Sequence, residues 1–113
     1  MKSNLEQALI ACSYRFINSK SLYMKLYGFN WIIFDINKKL VSSWFPGKEN
    51  NFVCWNTKEF DEIFSEDCNN ILEFAKSVQY YEKYNGPHGH GDILTNIKNY
   101  MLLDNYFNQS IFL

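Results

Sequence analysis

The chain has 113 residues, 47% of them apolar, and a formal net charge of −1. That length supports one hydrophobic core and not two, so a single domain over residues 1–113 is expected. The apolar content excludes a disordered chain, and the near-neutral charge excludes a strongly basic polyanion binder.

From the N-terminus, Ser3-Asn4-Leu5-Glu6 fits a capping box, in which the Ser hydroxyl and the Glu three residues on each take an orphan helix N–H. A helix is predicted from there. Its apolar face would carry Leu5, Ala8, Leu9, Cys12 and Phe16, and it would end where polar residues cluster at Asn18 to Ser21. Leu22, Met24 and Leu26 alternate with Tyr23, Lys25 and Tyr27, which fits a strand and equally a continued helix. Trp31 to Ile36 reads as a strand, Asn37-Lys38-Lys39 as a turn, and Leu40 to Phe45 as the antiparallel partner. Pro46-Gly47 breaks the chain, and Lys48 to Asn51 makes a loop before a short third strand, Phe52 to Trp55. Connections this short predict an antiparallel meander, because parallel pairing needs a longer crossover.

Asn56-Thr57-Lys58-Glu59 is a second possible helix start. Phe60, Ile63, Phe64, Ile71, Leu72, Ala75 and Val78 then recur at helical spacing, with a break near Ser65 suggested by Asp67, which would otherwise turn toward the apolar face, and with Ser65 able to serve as a fresh cap. The segment Asn85 to Gly91 cannot continue a helix, and Asp92 is placed to cap a last one from Ile93 to about Phe107. The fold class expected is therefore α+β: an N-terminal helix, a small three-stranded antiparallel meander, and two to three C-terminal helices packed on one of its faces.

Three chemistries deserve a test against the residues. His88-Gly89-His90-Gly91-Asp92 resembles the H-x-H-x-D metal-binding motif of the metallo-β-lactamase superfamily over five residues. The resemblance implies a zinc-type site at His88, His90 and Asp92. It departs from that pattern at Ile93, where the family has a further His, and the family's scaffold is much longer. The residues alone fit a glycine-supported turn in which Asp92 caps the following helix, so no metal or other cofactor is expected and a metal-dependent enzyme is the alternative. Cys12, Cys54 and Cys68 form no C-x-x-C pair and read as small buried side chains in a reducing compartment. A Cys–His nucleophile has no local signature, and no glycine-rich phosphate loop is present.

Charge distribution says more. Residues 1–48 hold seven basic and two acidic side chains, and residues 49–113 hold four basic and ten acidic ones. Lys20, Lys25, Lys38, Lys39 and Lys48 lie among Tyr23, Tyr27, Phe29 and Trp31, a mixture that would suit single-stranded nucleic acid. The single Arg, at position 15, argues against it. Residues 59–75 carry six carboxylates and no base. On a continuous helix, Glu59, Glu62, Glu66 and Glu73 fall within about 60° of one another, with Tyr80 on the same stripe. Like charges at such intervals cost an isolated helix a few tenths of a kcal/mol per pair, so the strip reads as a surface for a basic partner.

Ten Phe, eight Tyr and three Trp exceed what packing alone asks for. Phe29, Trp31 and Ile33 share one face of their strand with Asp35, while Ile32, Phe34 and Ile36 share the other with Asn30. Both faces carry bulk, so the second is expected to be covered by the N-terminal segment or by another molecule. The expectation for function is a non-enzymatic, protein-binding inhibitor: an immunity protein that occludes a cognate toxin, a nuclease in the leading version, with partner contacts at Glu59, Glu62, Glu66, Glu73 and Tyr80. A phage anti-defence or anti-CRISPR inhibitor fits the same features, and an oligomeric subunit, including a homodimer, is the structural alternative. No stretch approaches a membrane span or a signal-peptide core, so a cytoplasmic protein with no membrane partner is expected.

Overall fold

The computed structural model describes residues 2–17, 21–28, 30–46 and 52–85. The elements run α1 (Asn4–Ala11), β1 (Arg15–Ile17), β2 (Leu22–Tyr27), β3 (Asn30–Asp35), β4 (Leu40–Pro46), β5 (Phe52–Glu59), α2 (Phe60–Ile63) and α3 (Ile71–Asn85). The class is α+β. The expected three-stranded meander is a five-stranded antiparallel sheet in sequential order β1 to β5. The last helix expected, Ile93 to Phe107, lies outside the described residues.

Ser3 caps α1 as its side chain predicts, its hydroxyl accepting from the Glu6 N–H at 3.2 Å. The helix then stops well short of Asn18. Ser13 takes the left-handed region at φ 72°, its N–H donates to the Ile10 carbonyl at 3.0 Å, and the Tyr14 N–H donates to the Leu9 carbonyl at 2.9 Å. These two bonds are the Schellman closure of a helix end, and Tyr14 and Leu9 meet in the core as that motif requires. The usual glycine signal is missing because a serine occupies the left-handed position. Phe16 consequently lies in β1, opposite Tyr23, rather than on the helix face where the periodicity puts it.

The alternation through Leu22 to Tyr27 resolves as a strand paired with β3, with Gly28 supplying a positive φ at the turn. Asp35 closes the β3–β4 connection by accepting from the Lys38 N–H at 3.0 Å, and Lys39 takes φ 54°. Between β4 and β5 the register passes from Trp44 opposite Cys54 to Ser43 opposite Asn56, leaving Trp55 as the extra residue of a bulge. β5 extends to Glu59, so Asn56 to Glu59 is strand and not the helix start that the capping pattern suggested.

The two sheet faces differ as the strand parity predicts. On one, Tyr23, Ile32, Phe34 and Val41 pack with Leu9 and Cys12, with Tyr14 of the α1–β1 link, and with Val78 and Tyr81 of α3. On the other, Leu22, Met24, Trp31 and Ile33 form a second buried cluster, flanked by Ile17, Leu26 and Trp44. Among the described residues that second cluster consists of strand side chains only. The N-terminal helix packs with α3 on the first face, so it is not the cover expected for the second.

The helical stretch after β5 is divided. α2 is one turn long, and Phe64 leaves it at φ −111°, ψ 122°. Ser65 to Asn70 is Ser, Glu, Asp, Cys, Asn and Asn, side chains that compete for backbone bonds or repel one another in a helix. The fresh cap is Asn70 rather than Ser65: its Oδ1 accepts from the Glu73 N–H at 2.9 Å, and its Nδ2 donates to Glu73 Oε1 at 2.9 Å. Apolar spacing stays in phase across the break because Phe60, Ile63, Phe64, Ala75 and Val78 all rest on the same core.

Candidate functional site

The acidic residues do not form one helical strip. Glu59 ends β5 and caps α2, and its N–H donates to the Glu62 carboxylate at 2.7 Å. Asp61 lies in the first turn of α2, while Glu66 and Asp67 lie in the turn that follows, where the Cys68 N–H donates to the Ser65 carbonyl. These five carboxylate residues are exposed. Among the described residues none of them is in an ion pair. The segment beneath them is anchored: Phe60 and Phe64 pack on Phe34, Phe64 meets Phe74 of α3 edge to face at 5.2 Å, and the Cys68 thiol reaches Ser77 Oγ at 3.6 Å. Alternation of partly buried aromatics with outward acids makes a compact anionic ridge after β5.

Glu73 and Tyr80 belong to α3 instead. Glu73 is half-buried and occupied in the Asn70 cap. Tyr80 is 65% exposed and packs against Tyr84, which is 56% exposed, with ring centroids 4.4 Å apart. Its helical neighbours at three and four residues are Lys76, Ser77, Lys83 and Tyr84, so its setting is cationic. Of the five partner residues expected, the fold thus gathers Glu59, Glu62 and Glu66, adds Asp61 and Asp67 to them, and sets Glu73 and Tyr80 on a separate helix.

His88, His90 and Asp92 lie outside the described residues. Among the described residues no group of three or more His, Cys, Asp or Glu side chains is arranged to hold a metal ion. The three cysteines are free, with Cys12 buried, Cys68 intermediate and Cys54 exposed, which corrects the reading of all three as buried. Burial and the nearby Glu82 charge raise the Cys12 thiol above its ordinary value despite Lys25, so it stays protonated and poorly nucleophilic.

A polar network missed at the level of sequence lies under α3. Glu82 is only 4% exposed, and its Oε2 accepts from the Tyr14 hydroxyl at 2.9 Å and from Lys25 Nζ at 2.8 Å. One carboxylate oxygen therefore joins α3, the α1–β1 link and β2. Lys25 Nζ also stands 5.5 Å from the Tyr14 ring centroid and 5.6 Å from that of Tyr27. One residue earlier on α3, Tyr81 shares a 2.8 Å hydrogen bond with Ser43 of β4. Burial first, and the Glu82 charge second, push the Tyr14 phenol far above its usual range. Burial raises Tyr81 to about 12, opposed by its bond to Ser43. Tyr23, which donates to Glu6 at 2.8 Å, also rises to about 12, through burial and then that bond. The signal in the sequence was Glu82 itself, four residues after Val78 and thus on the apolar side of its helix, where a carboxylate requires a buried partner.

Compared with protein-family models, with curated proteins and with solved structures, the chain matches none. No helix among the described residues is long and apolar enough to cross a membrane.

Proposed function

We propose that this chain is a protein-binding inhibitor, an immunity protein that occludes the basic, substrate-binding groove of a nuclease toxin. The observation that supports the reading is the anionic ridge: five exposed carboxylate residues, outside any ion pair among the described residues, on a segment anchored by Phe60 and Phe64. Exposed, unpaired charge on a supported backbone speeds encounter with an oppositely charged surface and loses little entropy on docking. Glu59, Asp61, Glu62, Glu66 and Asp67 supply the charge, and Glu73 flanks them from the first turn of α3.

The test uses the chain as bait in lysate of its source cells. The expected capture is a nuclease whose activity falls to background when this chain is added in equimolar amount. Asp61→Lys with Glu66→Lys should capture less of it, because both side chains are exposed and, unlike Glu62, neither holds a helix cap. A captured protein that keeps full activity in the complex, or equal capture by the charge-reversed chain, contradicts the reading.

A further inference from the structure

The outward face of α3 is a second exposed surface, of opposite character, that the inhibitor reading does not use. Along its 15 residues, Leu72, Lys76, Gln79, Tyr80, Lys83 and Tyr84 are exposed, with Leu72 at 63%. Val78, Tyr81 and Glu82 point the other way, into the sheet. The two lysines are seven residues apart, about 10 Å along the helix, and they bracket the Tyr80–Tyr84 pair. Lys83 Nζ stands 5.5 Å from the Tyr84 ring centroid. Neither lysine is in an ion pair among the described residues. Exposed, paired tyrosines are the composition of an interface centre, and the lysines beside them, suited to its polar rim, call for an anionic occupant.

We infer that this face docks the anionic ridge of a second copy of the same chain. Complementary charge carries the assignment. The ridge at residues 59–67 presents Glu59, Asp61, Glu62, Glu66 and Asp67 exposed, and it makes no ion pair with Lys76 or Lys83 of its own chain. The two complementary surfaces leave each other unpaired within the chain among the described residues, so each is available to the other surface of a second copy. Where two copies exchange the contact reciprocally, each ridge on the other's α3 face, it closes as a twofold dimer; where they do not, association continues head to tail. The formal net charge of −1 sets no long-range repulsion against it. Self-association of this kind covers the ridge, so a partner that binds the ridge would compete with it. The inference stands independently of the inhibitor reading, because it needs no partner protein.

Sedimentation equilibrium of the full chain at about 0.05 M and about 0.5 M salt tests it, since charge contacts weaken as the screening length contracts. The average mass should rise above that of the monomer with concentration at low salt, and association should weaken on the order of tenfold at high salt. Lys76→Glu with Lys83→Glu, and separately Asp61→Lys with Glu66→Lys, should each be monomeric. An equimolar mixture of the two reversed chains should associate again, because each then offers the charge that the other lacks. A monomer at low salt, a dimer that survives either reversal, or a mixture that stays monomeric would each overturn the inference. Should a reversed chain fail to fold, the neutral pair Lys76→Gln with Lys83→Gln replaces it: weakened association supports the docking face, and unchanged association overturns it.

Discussion

At the scale of single residues, Glu82 decides how α3 is held. A carboxylate at 4% exposure is tolerable only because Tyr14 and Lys25 both donate to its Oε2. Glu82→Gln keeps the shape and removes the charge, leaving Lys25 beside a neutral amide, and should cost about 3 kcal/mol in urea unfolding. Adding Lys25→Met should recover part of that loss, because the stranded cation is then gone; a double variant less stable than Glu82→Gln alone would contradict this account of the pair. The tyrosines give a separate, pH-dependent test. Tyr23 and Tyr81 are raised from 10.0 to about 12 in the folded chain, so folding favours their protonated forms. That contribution is complete below the unfolded value and is lost as pH rises toward the folded one. The urea midpoint should therefore fall between about pH 10 and 12, and Tyr81→Phe should flatten the fall. A midpoint independent of pH over that window would show that the buried phenols are not coupled to folding.

At the scale of elements, the chain is shaped by where helices stop. The end of α1 uses Ser13 at φ 72°, a conformation that costs a serine more than a glycine. Ser13→Gly should raise stability by roughly 0.5 to 1 kcal/mol, read as a thermal midpoint a few degrees higher, and a lower midpoint would mean that the serine side chain is needed there. Asn70→Ala should cost about 1 kcal/mol by removing the α3 cap. These two positions also explain what could be read from the sequence and what could not. The Ser3 cap, the identity of β3 and β4, and the opposed faces of Trp31 and Phe34 follow from local chemistry and period, and they are present in the fold. The early end of α1 was hidden by a non-glycine Schellman residue, and the two added strands, β1 and β2, lay in a stretch where period 2 and period 3.6 overlap. The α2–α3 break was visible in Asp67, but the cap proved to be Asn70, five residues beyond Ser65, whose Oδ1 accepts from the Glu73 N–H. Glu59, Glu62 and Glu66 stayed together through this change, while Glu73 and Tyr80 were carried to another helix, since a strip calculated on a continuous helix does not survive a seven-residue interruption.

At the scale of the whole molecule, the formal charge of −1 conceals two local surfaces. An anionic ridge is held by aromatics from the core, and a cationic, tyrosine-bearing face lies on the outer side of α3. Part of the aromatic surplus is accounted for by packing: Phe34 alone meets Tyr14, Phe60, Phe64 and Tyr81. Another part, Tyr80 and Tyr84, is spent on exposed surface. The proposed inhibitor function rests on the ridge, and the most direct measurement is a titration of the captured nuclease's activity with this chain and with its Asp61→Lys, Glu66→Lys variant, at low and at high salt. The chain should abolish activity at equimolar ratio, and the variant should need about tenfold more at low salt, corresponding to about 1.4 kcal/mol of lost binding, with the gap narrowing as salt rises. Equal inhibition by both chains at every salt concentration would contradict the ridge as the binding surface, and nuclease activity left intact by a saturating excess of this chain would contradict inhibition itself.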